Sequence, residues 1–234
     1  MNLGPAIAAA SAPAPRSASA GRIALVAGVV GRRGEALLNR VLASGDYAEV
    51  VALCAAPMAL GVRGLRLAGL ADLPEVDDLF LLISDPDDAA SRSFYGRDAA
   101  FVAVDERNCL QVARRAVEQG ARRAVLIDPM PAWQQIGNFH RGLANPGELA
   151  LASLPLDSLT VLRPVREGKR RGANLVERFV AAYLSVQLLM LPKSIGILTS
   201  ETLARCALQA MRDARDGLTV HPADTLAKLL EAPA

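Results

Sequence analysis

The sequence is poor in the residues that build metal centres and disulfide frameworks. It has three cysteines and two histidines among 234 residues. Cys54, Cys109 and Cys206 lie far apart, and none stands in a Cys-x-x-Cys pair. This spacing argues against the usual zinc motifs and against a disulfide scaffold, and it favours a reducing cytoplasm.

The sequence also lacks a strong excess of charge of either sign. It has 26 basic and 24 acidic residues, which give a net charge of +2. Nucleic-acid binding needs a dense basic surface, so this balance argues against a nucleic-acid partner. The tightest basic cluster, GKRR at residues 168–171, is typical of a solvated loop.

No apolar run is long enough for a membrane span. The most apolar one, FVAAYLSVQLLML at residues 179–191, is shorter than the ~20 residues that cross a bilayer. It contains Ser185 and Gln187, and Pro192 ends it. We therefore expect a buried helix here, and a protein without a membrane partner.

Aromatic residues make up 4% of the chain, whereas apolar residues together make up 52%. That apolar share is enough for a substantial core, and its Ala, Leu and Val favour helices packed closely on a sheet. Residues 1–20, rich in Ala, Pro and Ser, have neither the charged segment of a signal peptide nor enough hydrophobicity to pack. We expect a disordered lead at 1–20 and a single domain at 21–234, with a substrate or partner region from about 165.

Short apolar runs alternate with helical patterns through most of the domain. Strands are predicted in RIALVAG, AEVVALCA, VRGLRLAGL, VDDLFLLIS, RRAVLID and LDSLTVLRP, of which the third is the weakest. A helix follows the first strand and ends at Gly45, and DERNCLQVARRAVEQG is an amphipathic helix with Leu110, Ala113 and Val117 inward. This order predicts a Rossmann-like, doubly wound parallel sheet with helices on both faces.

Beyond Asn174 the patterns are helical, which predicts a small helical C-terminal region. Helices are expected at 174–191, at 200–214 with Ser200 as N-cap, and from about Pro222. His221 stands before the last of these helices, and we assign it no role.

In a parallel sheet the ligand crevice lies beyond the carboxyl ends of the strands. The segments expected to line it are residues 28–34, 54–58, 84–86, 128–133 and 163–166. The first of these carries Gly28, Gly31 and Gly34 between a strand and a helix. Glycines there let the backbone approach a pyrophosphate, which the helix N-terminus binds. The alternative is a glycine-rich turn that only packs the helix on the sheet.

This Gly-x-x-Gly-x-x-Gly loop resembles that of the extended and atypical short-chain dehydrogenase/reductases. The chain is most similar to the atypical branch of Tat-interacting, tumour-suppressor-like oxidoreductases and their bacterial relatives. The resemblance extends to the Asp-led helix running into RRAVLID, to the Arg-Pro pair at 163–164 and to ETLARCALQAM. It implies a Rossmann fold, NADP(H) more often than NAD(H), and a small C-terminal substrate region.

Cofactor choice depends on the end of the second strand. It reads CAAPM, with no acid to hold the ribose hydroxyls of NAD. Relatives carry an arginine pair where Ala55 and Ala56 stand here. Arg32 and Arg33 in the glycine loop would substitute, since guanidinium pairs well with phosphate. The alternative is that both are exposed surface residues.

The proton relay of the family is missing. It consists of a Tyr-x-x-x-Lys pair and a serine after the fifth strand, but Tyr47, Tyr95 and Tyr183 have no lysine four residues later. By position the pair falls on His140 and Ala144, and the serine region reads DPMPAW. NPGE at 145–148 predicts a helix start, which leaves His140 in the preceding loop as the one candidate acid.

Three functions remain open from the sequence. The first is a nucleotide-binding sensor or scaffold without the usual chemistry. The second is an active reductase or epimerase-like enzyme that uses His140 or a water near Asp128. The third is a ligand-free interaction protein, such as a homodimer formed through residues 179–191. The residues expected to bind a dinucleotide are Gly28, Val29, Val30, Gly31, Arg32, Arg33, Gly34, Ser84, Asp128 and Arg163.

Overall fold

The computed structural model describes residues 21–55, 61–84, 100–130, 146–166 and 198–231. Its centre is a seven-stranded sheet in which every neighbouring pair of strands is parallel. The strands are β1 (Ile23–Ala27), β2 (Glu49–Leu53), β3 (Leu65–Ala68), β4 (Asp78–Leu82), β5 (Arg123–Ile127), β6 (Ser158–Arg163) and β7 (Gly217–Pro222), in the order β3-β2-β1-β4-β5-β6-β7. This is the predicted Rossmann-like, doubly wound arrangement.

Helices cover both faces of the sheet. They are α1 (Gly31–Ala43), α2 (Cys109–Glu118), α3 (Pro146–Ala152), α4 (Ser200–Arg212) and α5 (Ala223–Leu226), followed by a 3-10 turn at Ala227–Leu230. The helix α1 packs against α4 on one face, and α2 packs against α3 on the other.

Alternation along the strands divides the core into two layers, because successive strand residues point to opposite faces. In β5, Val125 and Ile127 join the layer under α1 and α4, whereas Leu126 joins the layer under α2 and α3. Strands buried on both faces therefore read as continuous apolar runs, as the sequence of β4 does.

At the amino-terminal ends of the strands, a buried carboxylate links several segments of the chain. Asp78, at the start of β4, is 1% exposed and accepts hydrogen bonds from Arg123 at 2.8 and 2.7 Å. It also accepts from the Tyr47 hydroxyl at 2.9 Å and from the Arg22 guanidinium. These contacts connect β4 and β5 to the segments that precede β1 and β2.

The six predicted strands are confirmed, including the weak one at β3. The prediction missed β7, because GLTVHP is short, contains polar residues and ends in proline. It is an edge strand paired only with β6, and Leu218 is 45% exposed, so no apolar run marked it. His221 consequently lies within β7, and the last helix begins at Ala223 with Pro222 as its N-cap, close to the predicted start.

One local prediction was wrong. The N-cap of α4 is Thr199, not Ser200, since its hydroxyl oxygen accepts a hydrogen bond from Thr202 N at 3.2 Å. The prediction for α2 is confirmed for Ala113, which is buried, and for Leu110, which packs partly buried against the core. Val117 is half-buried, and Cys109, Val112 and Ala116 complete the buried face.

Several predictions lie outside the described residues: the lead at 1–20, the GKRR cluster, the helix at 174–191, His140 and Ala144. Within the described ranges, no helix is both long and apolar enough to cross a bilayer.

Candidate functional site

The site is positioned by a reversal in strand order. After β1 the chain forms β2 and β3 on one side, and then returns to place β4 on the other side of β1. The connections on the two sides of β1 thus run in opposite directions at the carboxyl ends of β1 and β4. In open α/β sheets this switch point is where ligands bind.

Gly28 is required by the contact between β1 and β4. Its φ is +83°, and a Cβ atom there would lie 2.0 Å from the carbonyl oxygen of Leu82 at the end of β4. No side chain fits at that distance. The carbonyl of Gly28 accepts a hydrogen bond from Val30 N at 2.7 Å, which tightens the turn out of the strand.

Gly34 lets α1 lie directly against that turn. A Cβ atom there would lie 2.6 Å from Gly28 O and 2.7 Å from the carbonyl carbon of Val29. Val29 and Val30 are buried, and Gly31 begins the helix with a φ of +78°. Close packing therefore places the N-terminus of α1 at the switch point. Free N–H groups and the helix dipole make such a terminus suited to an anion.

The first turn of α1 contains no acidic residue, although acids are the residues that a helix N-terminus favours. It contains Arg32 and Arg33 instead. Arg32 is exposed. Arg33 is 9% exposed, and its Nη2 donates a hydrogen bond to Val165 O at 3.0 Å. The alternative of two exposed surface arginines is therefore wrong for Arg33, which connects the glycine loop to the segment after β6.

Ser84 follows β4 and holds the next segment in place. Its backbone N–H donates to Val104 O at 2.7 Å, and its hydroxyl accepts from Val104 N at 3.3 Å. Ser84 is half-buried. Of the predicted binding residues, it is the one at the carboxyl end of β4, next to the loop after β1.

Asp128 follows β5 and is 6% exposed. Burial, together with Glu148 and Glu106, raises the pKa of its carboxyl to about 6, against the opposing effect of Arg166 and Arg163. An acid that titrates near neutral pH is able to exchange protons under physiological conditions. The structure thus supplies a titratable group at the place where the serine of the relay is missing.

Arg163, one of the predicted binding residues, is buried at the end of β6. Its side chain is 0% exposed, and it forms an ion pair with Glu148, with Nη2–Oε2 at 2.6 Å and Nε–Oε1 at 3.2 Å. The pair joins the end of β6 to α3. Binding of a cofactor by Arg163 stays a prediction.

Glu148 was not predicted as a site residue. Its side chain is 1% exposed, although it is the third residue of a short helix. In NPGE it was interpreted only as a helix-start acid. Arg163 was the sequence feature that could have indicated it. An arginine buried at the end of an inner strand requires a buried acid nearby to balance its charge.

The end of β2 carries no charge in its described part. Cys54 is 1% exposed, and its N–H donates to Ala68 O at 3.0 Å, while Ala55 N donates to Ala100 O at 2.8 Å. Residues 56–60 and 131–145 lie outside the described ranges, so the structure does not test His140. In β7, burial lowers the pKa of His221.

No family model and no curated protein matches the chain. Solved structures resemble it at low identity. An oxidoreductase of the short chain dehydrogenase/reductase family from Burkholderia thailandensis is 20% identical, with 91% of this chain and 94% of that chain covered and a TM-score of 0.47. A short-chain dehydrogenase from Streptomyces avermitilis is 13% identical, with 92% of each chain covered and a TM-score of 0.45.

The enzyme WbmG from Bordetella bronchiseptica, in complex with NAD, is 17% identical, with 95% of this chain and 84% of that chain covered and a TM-score of 0.45. At these values the likeness assigns no family, ligand or reaction to this chain.

Proposed function

We propose that this protein binds a nicotinamide dinucleotide at the loop formed by residues 28–34. The observation that carries the proposal is the position of the N-terminus of α1 at the switch point of the sheet, directly after β1. Gly28 and Gly34 are there because backbone atoms lie where their Cβ atoms would be. The proposed role is that of a cofactor-binding sensor or scaffold of the atypical short-chain dehydrogenase/reductase type.

The residues of the loop fit the diphosphate of such a cofactor. The turn at Val29 and Val30 brings backbone close to the crevice, and Arg32 and Arg33 add positive charge where the helix dipole already favours an anion. Gly31 would lie closest to the phosphates, and a bound nicotinamide would supply a hydride donor or acceptor. Ser84 is proposed to contact the cofactor from the end of β4, and Asp128 from the end of β5.

We infer that the preferred cofactor is NADP(H). Two features support this: Cys54 and Ala55 offer no carboxylate to a ribose hydroxyl, and Arg32 is exposed at the start of α1. We assign the 2′-phosphate to Arg32, because its side chain is exposed whereas that of Arg33 is buried.

We propose that ordinary carbonyl reduction is absent. The Tyr, Lys and Ser of the relay are replaced by His140, Ala144 and a segment without hydroxyls, and general acid–base help is worth about 10²–10⁴-fold. An active NADPH-dependent oxidoreductase or epimerase-like enzyme is the second candidate. The raised pKa of Asp128 favours it, because this group would serve as an unusual acid.

The protein is proposed to act in the cytoplasm. Cys54, Cys109 and Cys206 are free thiols and all three are buried, which suits a reducing compartment. A scaffold needs a protein partner as well as the cofactor. A second copy of the chain is the simplest such partner.

The test is a fluorescence titration of the full-length protein with NADPH and, separately, with NADH. We expect saturable binding of both, tighter for NADPH. If neither cofactor gives saturable binding, the dinucleotide proposal fails and a ligand-free interaction protein replaces it. Equal affinities would leave dinucleotide binding in place and overturn only the NADP(H) preference.

A further inference from the structure

An open groove lies along α2, on the face of the sheet opposite α1. It has a volume of about 720 Å³, within the range of ~300–1,000 Å³ that is typical of ligand sites. Leu70 and Ala71, after β3, form one wall, and Leu110, Gln111 and Arg114 on α2 form the other. None of its lining residues is among those proposed to bind the dinucleotide.

The groove results from a connection that contains no helix. Parallel strands are usually joined by a crossover of about a dozen or more residues that includes one. Residues 69–77, all of which the structure describes, join β3 to β4 without a helix. They pass β2 and β1 on the way, because β3 is at the edge of the sheet and β4 lies beyond β1. The flank of α2 beside this short segment is therefore left open.

Arg115 joins the two walls of the groove. Its Nε donates a hydrogen bond to Leu70 O at 3.3 Å, and its Nη2 donates to Ala71 O at 3.2 Å. Its Nη1 donates to Glu118 Oε2 at 3.1 Å, so the two charges match each other. The groove is thus preformed, which lowers the cost of ordering it when a partner binds.

Positive charge remains at two places in the groove. Arg107 and Arg114 are exposed, and within the described ranges neither side chain has a hydrogen-bond or ion-pair partner. Asp105, the acid two residues before Arg107, does not line the groove, and its Oδ1 accepts a hydrogen bond from Arg107 N at 3.0 Å. Since Arg115 and Glu118 balance each other, the groove favours a partner with two negative charges.

We infer that this groove binds an acidic amphipathic helix of a partner protein, with its carboxylates on Arg107 and Arg114 and its apolar residues against Leu70 and Leu110. A helix in this position replaces the crossover helix that the connection lacks, and helices commonly bind grooves through one apolar face. Guanidinium groups pair with carboxylates through bidentate, charge-assisted hydrogen bonds. The inference does not depend on dinucleotide binding.

A second copy of the chain is a poor fit to this groove. Each of the five described helices contains a single acidic residue, so none presents two carboxylates on one face. The helix predicted at 174–191 contains only Glu177. Charge complementarity therefore favours a protein of different sequence.

The probe is a fluorescein-labelled helical peptide with two glutamates seven residues apart and two leucines between them, so that all four lie on one face. A matched peptide has glutamine in place of both glutamates. Binding to the full-length protein is followed by fluorescence anisotropy. We expect saturable binding of the glutamate peptide and at least tenfold weaker binding of the glutamine peptide.

Charge reversal tests whether the two arginines make the contact. The double variant Arg107→Glu/Arg114→Glu is expected to bind the glutamate peptide at least tenfold more weakly, and to bind instead a peptide with lysine in place of both glutamates. A variant that had merely unfolded would bind neither peptide. Arg205→Glu, the same change at an exposed position of α4, is expected to leave the affinity for the glutamate peptide unchanged.

Four results would overturn the inference. These are no binding of the glutamate peptide, equal affinities for the glutamate and glutamine peptides, undiminished binding in the double variant, and an equal loss of binding in Arg205→Glu. Sedimentation of the native protein and the double variant tests the second copy directly. A native dimer that the double variant converts to a monomer would show that a second copy covers the groove, and would also overturn the inference.

Discussion

Asp128 and Glu148 are buried carboxylates on the same side of the sheet, but their surroundings give them different chemistry. Glu148 has a bidentate partner in Arg163. Around Asp128, burial and two neighbouring acids outweigh the arginines, and its pKa rises to about 6. Glu148 thus connects β6 and α3 through its ion pair, whereas Asp128 titrates close to neutral pH.

The raised pKa of Asp128 predicts a pH-dependent stability. The folded protein holds the proton more tightly than the unfolded chain, whose Asp pKa is ~3.9, so this group lowers stability as pH rises from about 4 to about 6. Asp128→Asn removes that cost, on the order of 3 kcal/mol above pH 7. Urea unfolding at pH 4.5 and 7.5 measures it, with Asp216→Asn, at an exposed acid just before β7, as the control.

The pKa of Asp78 is also raised to about 6, so Asp78 makes the free energy of unfolding depend on pH in the native protein and in both variants. The quantity to compare is therefore the difference in free energy of unfolding between each variant and the native protein at the same pH. We expect Asp128→Asn to gain stability over the native protein at pH 7.5 but not at pH 4.5. An equal difference at both pH values would contradict the assigned pKa.

The ion pair between Arg163 and Glu148 predicts a large loss on substitution. Glu148→Gln leaves a guanidinium buried without its counter-charge, which costs about 3–5 kcal/mol. Glu118→Gln is the matched control, since Glu118 pairs with Arg115 at 3.1 Å but is 63% exposed, and about 0–1 kcal/mol is expected there. Similar losses in the two variants, measured by urea unfolding, would show that burial does not set the cost.

Among the secondary-structure elements, α1 is the one whose N-terminus is proposed to bind the cofactor phosphates. Its N-terminus lies at the crevice because Gly28 and Gly34 permit backbone contacts that no side chain would allow. The same helix packs on α4, where Arg212 binds Asp46 at 2.8 Å just beyond the end of α1. The helix is therefore held along its length while its first turn faces the crevice.

The predicted preference for NADPH over NADH depends on Arg32 in that first turn. Arg32→Ala is expected to cost NADPH about 1.5–3 kcal/mol of binding free energy through loss of a charge-assisted hydrogen bond, and to leave NADH nearly unchanged. Arg205→Ala, an exposed arginine on α4, serves as the control. Calorimetric titration with both cofactors provides the measurement. An unaltered ratio of the two affinities would exclude Arg32 as the phosphate partner.

The elements differ in how well their sequences predict them. β1, β4 and β5 are apolar runs buried on both faces, so composition alone marks them. β7 is half-exposed at the edge, and β-structure there depends on pairing with β6, which no local pattern records. The burial of Arg33 and Glu148 was missed for a similar reason: their contacts are with Val165 and Arg163, which are distant in sequence.

The fold as a unit was predictable because strand and helix patterns alternate, and this order leaves few topologies open. The strand order then places residues 28–34, 84 and 128 along one edge of the sheet. The chemistry at that edge is less determined. The Gly-x-x-Gly-x-x-Gly loop indicates a phosphate, but the reaction depends on segments such as 131–145 that lie outside the described residues.

The proposed lack of carbonyl reduction is tested by NADPH oxidation over a panel of aldehydes and ketones. The range from about pH 5.5 to 8 brackets a histidine pKa of ~6.5 and the Asp128 pKa of about 6. We expect no turnover by the native protein. Turnover that disappears in His140→Ala would make His140 the acid, and turnover that disappears in Asp128→Asn would make it Asp128.

The claim that α1 and its glycine loop bind a dinucleotide is tested most directly by a pair of glycine variants. Gly31 and Gly45 both have positive φ, +78° and +74°, but Gly45 lies beyond the other end of α1 with nothing within 4 Å of its Cβ position. Gly31→Asp and Gly45→Asp thus introduce the same charge and a similar backbone cost. We expect Gly31→Asp to abolish NADPH binding, because its carboxylate occupies the phosphate position, and Gly45→Asp to retain native affinity. Native affinity in a folded Gly31→Asp protein would contradict the claim.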